Sequence, residues 1–175
     1  MCRNIVARIV RHGFTMIELL IVMAILAITA AIVVPMASSA GSMQLRAALN
    51  VVAADLEYAK SMSISRGQRY SIVFDRTTES YRIADETGTT VSHPVRKGFP
   101  YVVDFRHDSR LGQVDIVTAN FDGASAVSFD YLGSPYSGTG PSATPLNSGV
   151  ITLQAGGITK TVNVEPVTGY ISISN

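Results

Sequence analysis

The sequence has no tryptophan, one cysteine and three histidines among 175 residues. A single thiol, Cys2, cannot close an internal disulfide, so any folded part must be held by its core. No apolar stretch precedes Cys2, as lipid attachment there would require. His12, His93 and His107 have no cysteine or histidine partner at metal-ligand spacing. No serine sits in a Gly-x-Ser-x-Gly context, and Asp104, Asp108, Asp115 and Asp122 do not follow a calcium-loop pattern. They read as solvated strand-end or turn residues. Phosphate-cradling glycine loops are missing too, and Gly156-Gly157 reads as a hairpin turn. These absences leave no catalytic constellation and no cofactor or metal site, so an enzyme is not expected.

Charge is also scarce. Charged residues make up 15% of the chain and the net charge is +1. Arg3, Arg8 and Arg11 lie in the first thirteen residues with no acid among them, which leaves eleven Lys/Arg against thirteen Asp/Glu, or −2, from residue 14 onward. That balance offers no general attraction for nucleic acid.

What is abundant is apolar surface, at 47% of residues and a mean hydropathy of +0.27. It is concentrated near the start, in the unbroken run from Leu19 to Val34. A helix from Phe14 to Val34 is about 31 Å long at 1.5 Å per residue, enough to cross a bilayer core. Basic residues ahead of it predict a cytoplasmic N-terminus and an exported C-terminal part. Two ordinary readings compete. One is a secretory signal cut after Ser38-Ser39-Ala40, although the run exceeds a typical signal core and carries a carboxylate. The other is a plain anchor in which Glu18 only sits near the interface. A carboxylate within a spanning segment costs roughly 2.5–3.5 kcal/mol at the centre and less near an end, and it usually marks a function.

The segment Gly13-Phe14-Thr15-Met16-Ile17-Glu18-Leu19-Leu20-Ile21-Val22 resembles the class III signal of type IV pilins and type II secretion pseudopilins. Many relatives have Leu where this chain has Met16, a swap of similar volume. The resemblance implies a leader over 1–13, cut after Gly13 by a membrane prepilin peptidase that then methylates the new amine of Phe14. It also implies a transmembrane and assembly segment over 14–36. Glu18 lies four residues after Phe14, on the same helical face. Its carboxylate is therefore expected to pair with the amine of a neighbouring subunit and set axial register, as buried polar groups do in coiled coils.

Pro35 should kink or loosen the helix. Beyond it, Leu45, Leu49, Val52, Leu56 and Ala59 recur at helical spacing, with Gln44, Arg46, Asp55, Glu57 and Lys60 mostly on the other side. Gly67 reads as the C-cap, so an amphipathic helix occupies 37–67. The period then changes to two. Strands are expected at 70–75, 81–84, 101–105, 113–118, 126–131, 150–154, 158–164 and 170–174, with a loop over 133–149. One long helix followed only by strands predicts an α+β fold, an antiparallel sheet packed on the helix's second half, with 68–175 as a β-rich periplasmic domain.

Phe129-Asp130-Tyr131-Leu132-Gly133-Ser134-Pro135 and the closing Gly169-Tyr170-Ile171-Ser172-Ile173 resemble the GspH/FimT group. That group contains minor pseudopilins of type II secretion and minor pilins of type IV pili. The resemblance implies a single-pass protein of the bacterial inner membrane. Its implied partners are other pseudopilins or pilins, the prepilin peptidase and the inner-membrane secretion assembly platform. Two roles follow: a minor pseudopilin acting in protein export, or a minor pilin acting in pilus assembly or DNA uptake. Some FimT-like members take up DNA through a basic C-terminal segment, whereas Thr161–Asn175 here has no Lys or Arg. Arg96, Lys97, Arg106 and Arg110 could form a patch, but acids are interspersed. A DNA site without cations lacks the counterion-release contribution to affinity, so the secretion role is preferred and no nucleic-acid partner is expected. Intact-mass analysis of membrane-purified protein should show an N-terminus at methylated Phe14, and a bulky residue at Gly13 should block that cleavage. An N-terminus at Gly41 would instead identify a conventional signal.

Overall fold

A computed structural model describes residues 15–174, without the side chains of 32–39. Gly13 and Phe14 lie outside the described residues, as do Cys2 and His12. The chain divides into two compact units, Met1–Ala37 and Ser38–Asn175. One helix, α1 (Met16–Arg66), supplies the described part of the first unit and the opening of the second. The loosening expected at Pro35 falls where side chains lie outside the described set, although the helix runs through that position. Gly67 ends α1 with φ 63°, the left-handed conformation that terminates helices and that glycine adopts without a Cβ penalty.

In the second unit α1 buries the expected stripe, Leu45, Leu49, Val52, Leu56 and Ala59, and extends it through Ala48 and Met62. The alternating strand pattern then supplies the opposite wall. Tyr70, Ile72 and Phe74 of β1 (Tyr70–Asp75) are buried, and β1 pairs antiparallel with β2 (Ser80–Ala84). The later strands are β3 (Val102–Asp104), β4 (Asp115–Phe121) and β5 (Ala126–Phe129). Inside the expected loop the chain forms β6 (Pro135–Ser137), a 3-10 turn at Gly140–Ser142, and β7 (Thr144–Pro145). β8 (Gly149–Ala155), β9 (Ile158–Val164) and β10 (Ile171–Ser174) follow. The missed strands are two or three residues long, too short for a period of two to show.

These strands form two antiparallel sheets, not one. The order is β3-β2-β1-β5-β6-β7 in the first and β10-β9-β8-β4 in the second. β8 and β9 meet at Gly156-Gly157, with φ 58° and 78°, the mirror-image turn whose twist suits a two-residue hairpin. The sheets are joined by polar groups as well as by packing. Glu79, in the β1–β2 turn at φ 52°, accepts Phe105 N–H on its backbone oxygen and Ile116 N–H of β4 on its carboxylate. Ser137 of β6 donates to the Phe121 carbonyl of β4, and the Phe74 and Phe121 rings stack 5.9 Å apart. Asp122 accepts the N–H groups of Asn147 (2.7 Å) and Ser148 (3.0 Å), anchoring the chain just before β8.

Where α1 meets the β8–β9 turn, space is tight. A Cβ on Gly41 would lie 3.0 Å from Gly156 Cα and 3.1 Å from Gly156 N, both backbone atoms of a constrained turn. Gly41→Ala should change stability by less than about 1 kcal/mol, since alanine's helix preference offsets the crowding. Gly41→Val adds two more carbons and should cost about 2 kcal/mol, read as a drop in Tm of several degrees.

Candidate assembly site

The first turn of α1 is closed by a reciprocal cap. Thr15 Oγ1 accepts from Glu18 N–H at 3.3 Å, and Glu18 Oε2 accepts from Thr15 N–H at 3.5 Å. This is the capping box of a Thr-x-x-Glu sequence, which satisfies two of the donors a helix leaves orphaned at its start. The carboxylate also complements the positive end of the helix dipole. Sequence reading singled out Glu18 and passed over Thr15, although the pattern Thr15-Met16-Ile17-Glu18 carried the signal. The expected partner amine belongs to Phe14 of another subunit and lies outside the described residues. The 3.5 Å contact is long and uses one carboxylate oxygen, so Glu18 has acceptor capacity left for a cation.

Downstream of this cap the described side chains from Met16 to Ile28 are exposed, including Met16 (82%), Leu20 (70%) and Ile28 (62%). Thr29 donates to the carbonyls of Ile25 and Leu26, both at 3.0 Å, which leaves its hydroxyl satisfied without outside help. The exposed segment is thus apolar on every side, with its polar atoms closed on themselves apart from Glu18. Among the described residues no helix is long and apolar enough to cross a membrane. Described side chains cover the helix only from Met16 to Ala31 before they resume at Ala40, about 24 Å at 1.5 Å per residue.

A second group of titratable residues lies in the globular unit, and it corrects one expectation. Asp55 is not on the solvent side of α1; it is 8% exposed. Tyr81 Oη donates to Asp55 Oδ2 and Tyr101 Oη to Asp55 Oδ1, each at 2.6 Å. Asp55 stands three residues after Val52 and four before Ala59, on the border of the buried stripe, and hydrogen bonds to ionised carboxylates are strong enough to hold it there. His93 is half-buried beside this group. Its ring stacks on Tyr101 at 4.6 Å, and its Nδ1 accepts from Val95 and Arg96 N–H. Burial pushes the Asp55 carboxyl above its ordinary value, while Tyr101, Tyr81 and His93 pull it down. Burial, followed by Asp55 itself, pushes both phenols up, so they remain donors. With a tyrosine on each carboxylate oxygen, the group ties α1 to β2 and to Tyr101.

Of the four cations that could form a basic patch, Arg110 is paired with a carboxylate, and neighbouring His107 also meets one. Arg110 pairs with Asp108 at 2.9 Å and His107 with Asp104 at 2.7 Å.

Residues 9–34 match the prokaryotic N-terminal methylation motif. No curated protein matches the sequence. Among solved structures, the minor pseudopilin EpsH from the type 2 secretion system of Vibrio cholerae aligns with a TM-score of 0.50 at 8% identity, covering 75% of this chain and 96% of that one. The type IV minor pilin FimU of Pseudomonas aeruginosa aligns with a TM-score of 0.48 at 16% identity, over 75% of this chain and 88% of that one. The chain thus combines a prokaryotic N-terminal methylation motif with an α+β fold similar to that of EpsH. That fold is pilin-like: a helix packed on antiparallel sheets.

Asp55→Ala leaves two buried phenols without their acceptor and should cost about 3 kcal/mol in denaturant unfolding. The raised carboxyl also predicts a pH signature. Because the folded state holds the proton more tightly than the unfolded chain, stability relative to Asp55→Asn should rise as pH falls from the raised value toward the ordinary 3.8. A flat difference across that interval would show that Asp55 is not buried as a carboxylate.

Proposed function

We propose that the chain is a minor pseudopilin, a structural subunit of the type II secretion pseudopilus acting in protein export, and not an enzyme. One observation carries the reading: from Met16 to Ile28 the helix exposes apolar side chains on every side, and this segment has a single carboxylate, Glu18, held in the first turn. A helix apolar all round needs lipid or other helices as its surroundings, and the methylation motif over residues 9–34 supports processing into such a subunit. In this reading the leader 1–13 is removed after Gly13 and Phe14 is methylated. The segment 14–36 then anchors the chain once in the bacterial inner membrane, N-terminus cytoplasmic, with the β-rich part in the periplasm. Prepilin peptidase and the assembly platform act on the N-terminal segment, and other pseudopilins or pilins pack against it.

A minor type IV pilin would use the same parts. The secretion role is favoured because no Lys or Arg follows Lys160, and Lys160 is the only one after Arg110. The C-terminal sheet therefore offers little to the phosphates of DNA.

Glu18 links the proposal to a measurement. Glutamine keeps the capping box, which accepts either Glu or Gln, and removes only the charge. Glu18→Gln should leave synthesis, membrane insertion and the folded domain intact while reducing recovery of partner subunits and secretion. The loss arises because a partner amine in lipid would keep no counter-charge, a penalty of several kcal/mol before relaxation. Full secretion with unchanged partner recovery would make Glu18 a passive capping residue.

A further inference from the structure

The chain between β2 and β3 forms a loop that closes on itself. At its base Ser92 bridges Pro100, and His93 N–H donates to the Phe99 carbonyl at 2.8 Å. Beyond the base the chain is exposed, with Val95 at 83% and Phe99 at 66%, and Arg96 and Lys97 between them. One side chain organises this tip. His93 Nδ1 accepts from the N–H groups of Val95 (3.2 Å) and Arg96 (3.1 Å), two and three residues on. Among the described residues neither N–H has another acceptor. Aspartate and asparagine oxygens usually make turns of this kind. An imidazole differs from them in one respect. Nδ1 accepts only while the ring is neutral and carries its proton on Nε2, and that lone pair is lost on protonation.

The ring is held from the other side by groups that tolerate a positive charge. It stacks on Tyr101 at 4.6 Å and 17°, and Tyr58 of α1 stacks on the same phenol at 5.7 Å. Tyr101 and Tyr81 of β2 both donate to the Asp55 carboxylate of α1, which lies near enough for His93 to draw it down. Within the loop Arg96 and Lys97 oppose a charge on the ring. Arg96 also shares a groove with Asp104, His107, Asp108 and Arg110. The carboxylate and the phenol face favour an imidazolium where the ring already lies. Protonation thus leaves the ring on Tyr101 and takes the acceptor away from two amides.

We propose that His93 is a proton-operated latch on the loop tip Pro94–Gly98. The neutral ring holds the tip closed, and the imidazolium releases it while the base at His93–Phe99 and Ser92–Pro100 stays paired. The closed tip is therefore favoured at the upper end of the range in which imidazoles change charge, about pH 8 to 5, and the open tip at the lower end. Val95, Arg96 and Lys97 are presented in a fixed arrangement only in the closed state. The latch does not depend on which fibre the chain serves, and its failure would leave the secretion reading standing.

The test uses the full-length protein in detergent micelles, with the His93 ring and the backbone amides followed by NMR from about pH 8 to 5. Protection of the Val95 and Arg96 amides, corrected for intrinsic exchange, should fall about tenfold with the same midpoint as the ring. Protection of Tyr101 N–H, which donates to the Val91 carbonyl below the tip, should not change. His93→Asn keeps an acceptor in the same place without a charge change, so both amides should stay protected throughout. If that variant is unprotected at every pH, the shared midpoint in the natural chain decides alone. His107→Gln removes the other imidazole near Arg96 and should leave the transition in place. A ring that stays neutral to the acid end, or protection that holds while the ring charges, would overturn the proposal. So would a transition that survives in His93→Asn or disappears in His107→Gln.

Discussion

The structure depends on one constraint: a single helix must bury one stripe in its second half, whereas the described side chains of its first half, from Met16 to Ile28, are exposed. From Leu45 to Met62 the apolar positions fall on one face, and two sheets close over them. From Met16 to Ile28 the apolar residues go all round, and no face can be chosen. The same secondary structure thus has two solvents. The folded unit gains its stability from the striped half, and in the proposed function the uniform half is surrounded by lipid or neighbouring helices.

Polar groups mark each of these environments by closing on themselves. Glu18 and Thr15 cap the first turn, and Thr29 returns its hydroxyl to the helix. In the globular unit Asp55 serves two tyrosines across the helix–sheet contact. Lys60 Nζ donates to the carbonyls of Thr168 and Gly169, holding the β9–β10 turn against the helix. Gly169 must be glycine there, because φ is 58° and a Cβ would meet the Gly133 oxygen at 2.8 Å. Each buried polar atom named here is paired, as the cost of leaving one unpaired demands.

The methylation motif, the helix and most strands were legible because their signals are local. A glycine, an aromatic and a glutamate at fixed spacing sit before an apolar run. The 3.6 period ends at Gly67, and the alternation of Tyr70, Ile72 and Phe74 begins soon after. Asp55 was misread because its charge suggested solvent while its position on the stripe border suggested the core. Only the two phenols, 26 and 46 residues away, decide between them.

The sequence by itself determined the elements whose stabilising contacts are near neighbours in the chain: α1 with its cap and stripe, the β1–β2 hairpin and the Gly156-Gly157 turn. The tertiary structure alone decided that the strands form two sheets, because that choice rests on contacts between distant residues. Glu79 reaches Ile116, Ser137 reaches Phe121, and Asp122 reaches Ser148. It also decided that the β4 margin is covered, through Glu79 and Ser137, since an edge is defined by what lies beside it and not by the residues that form it.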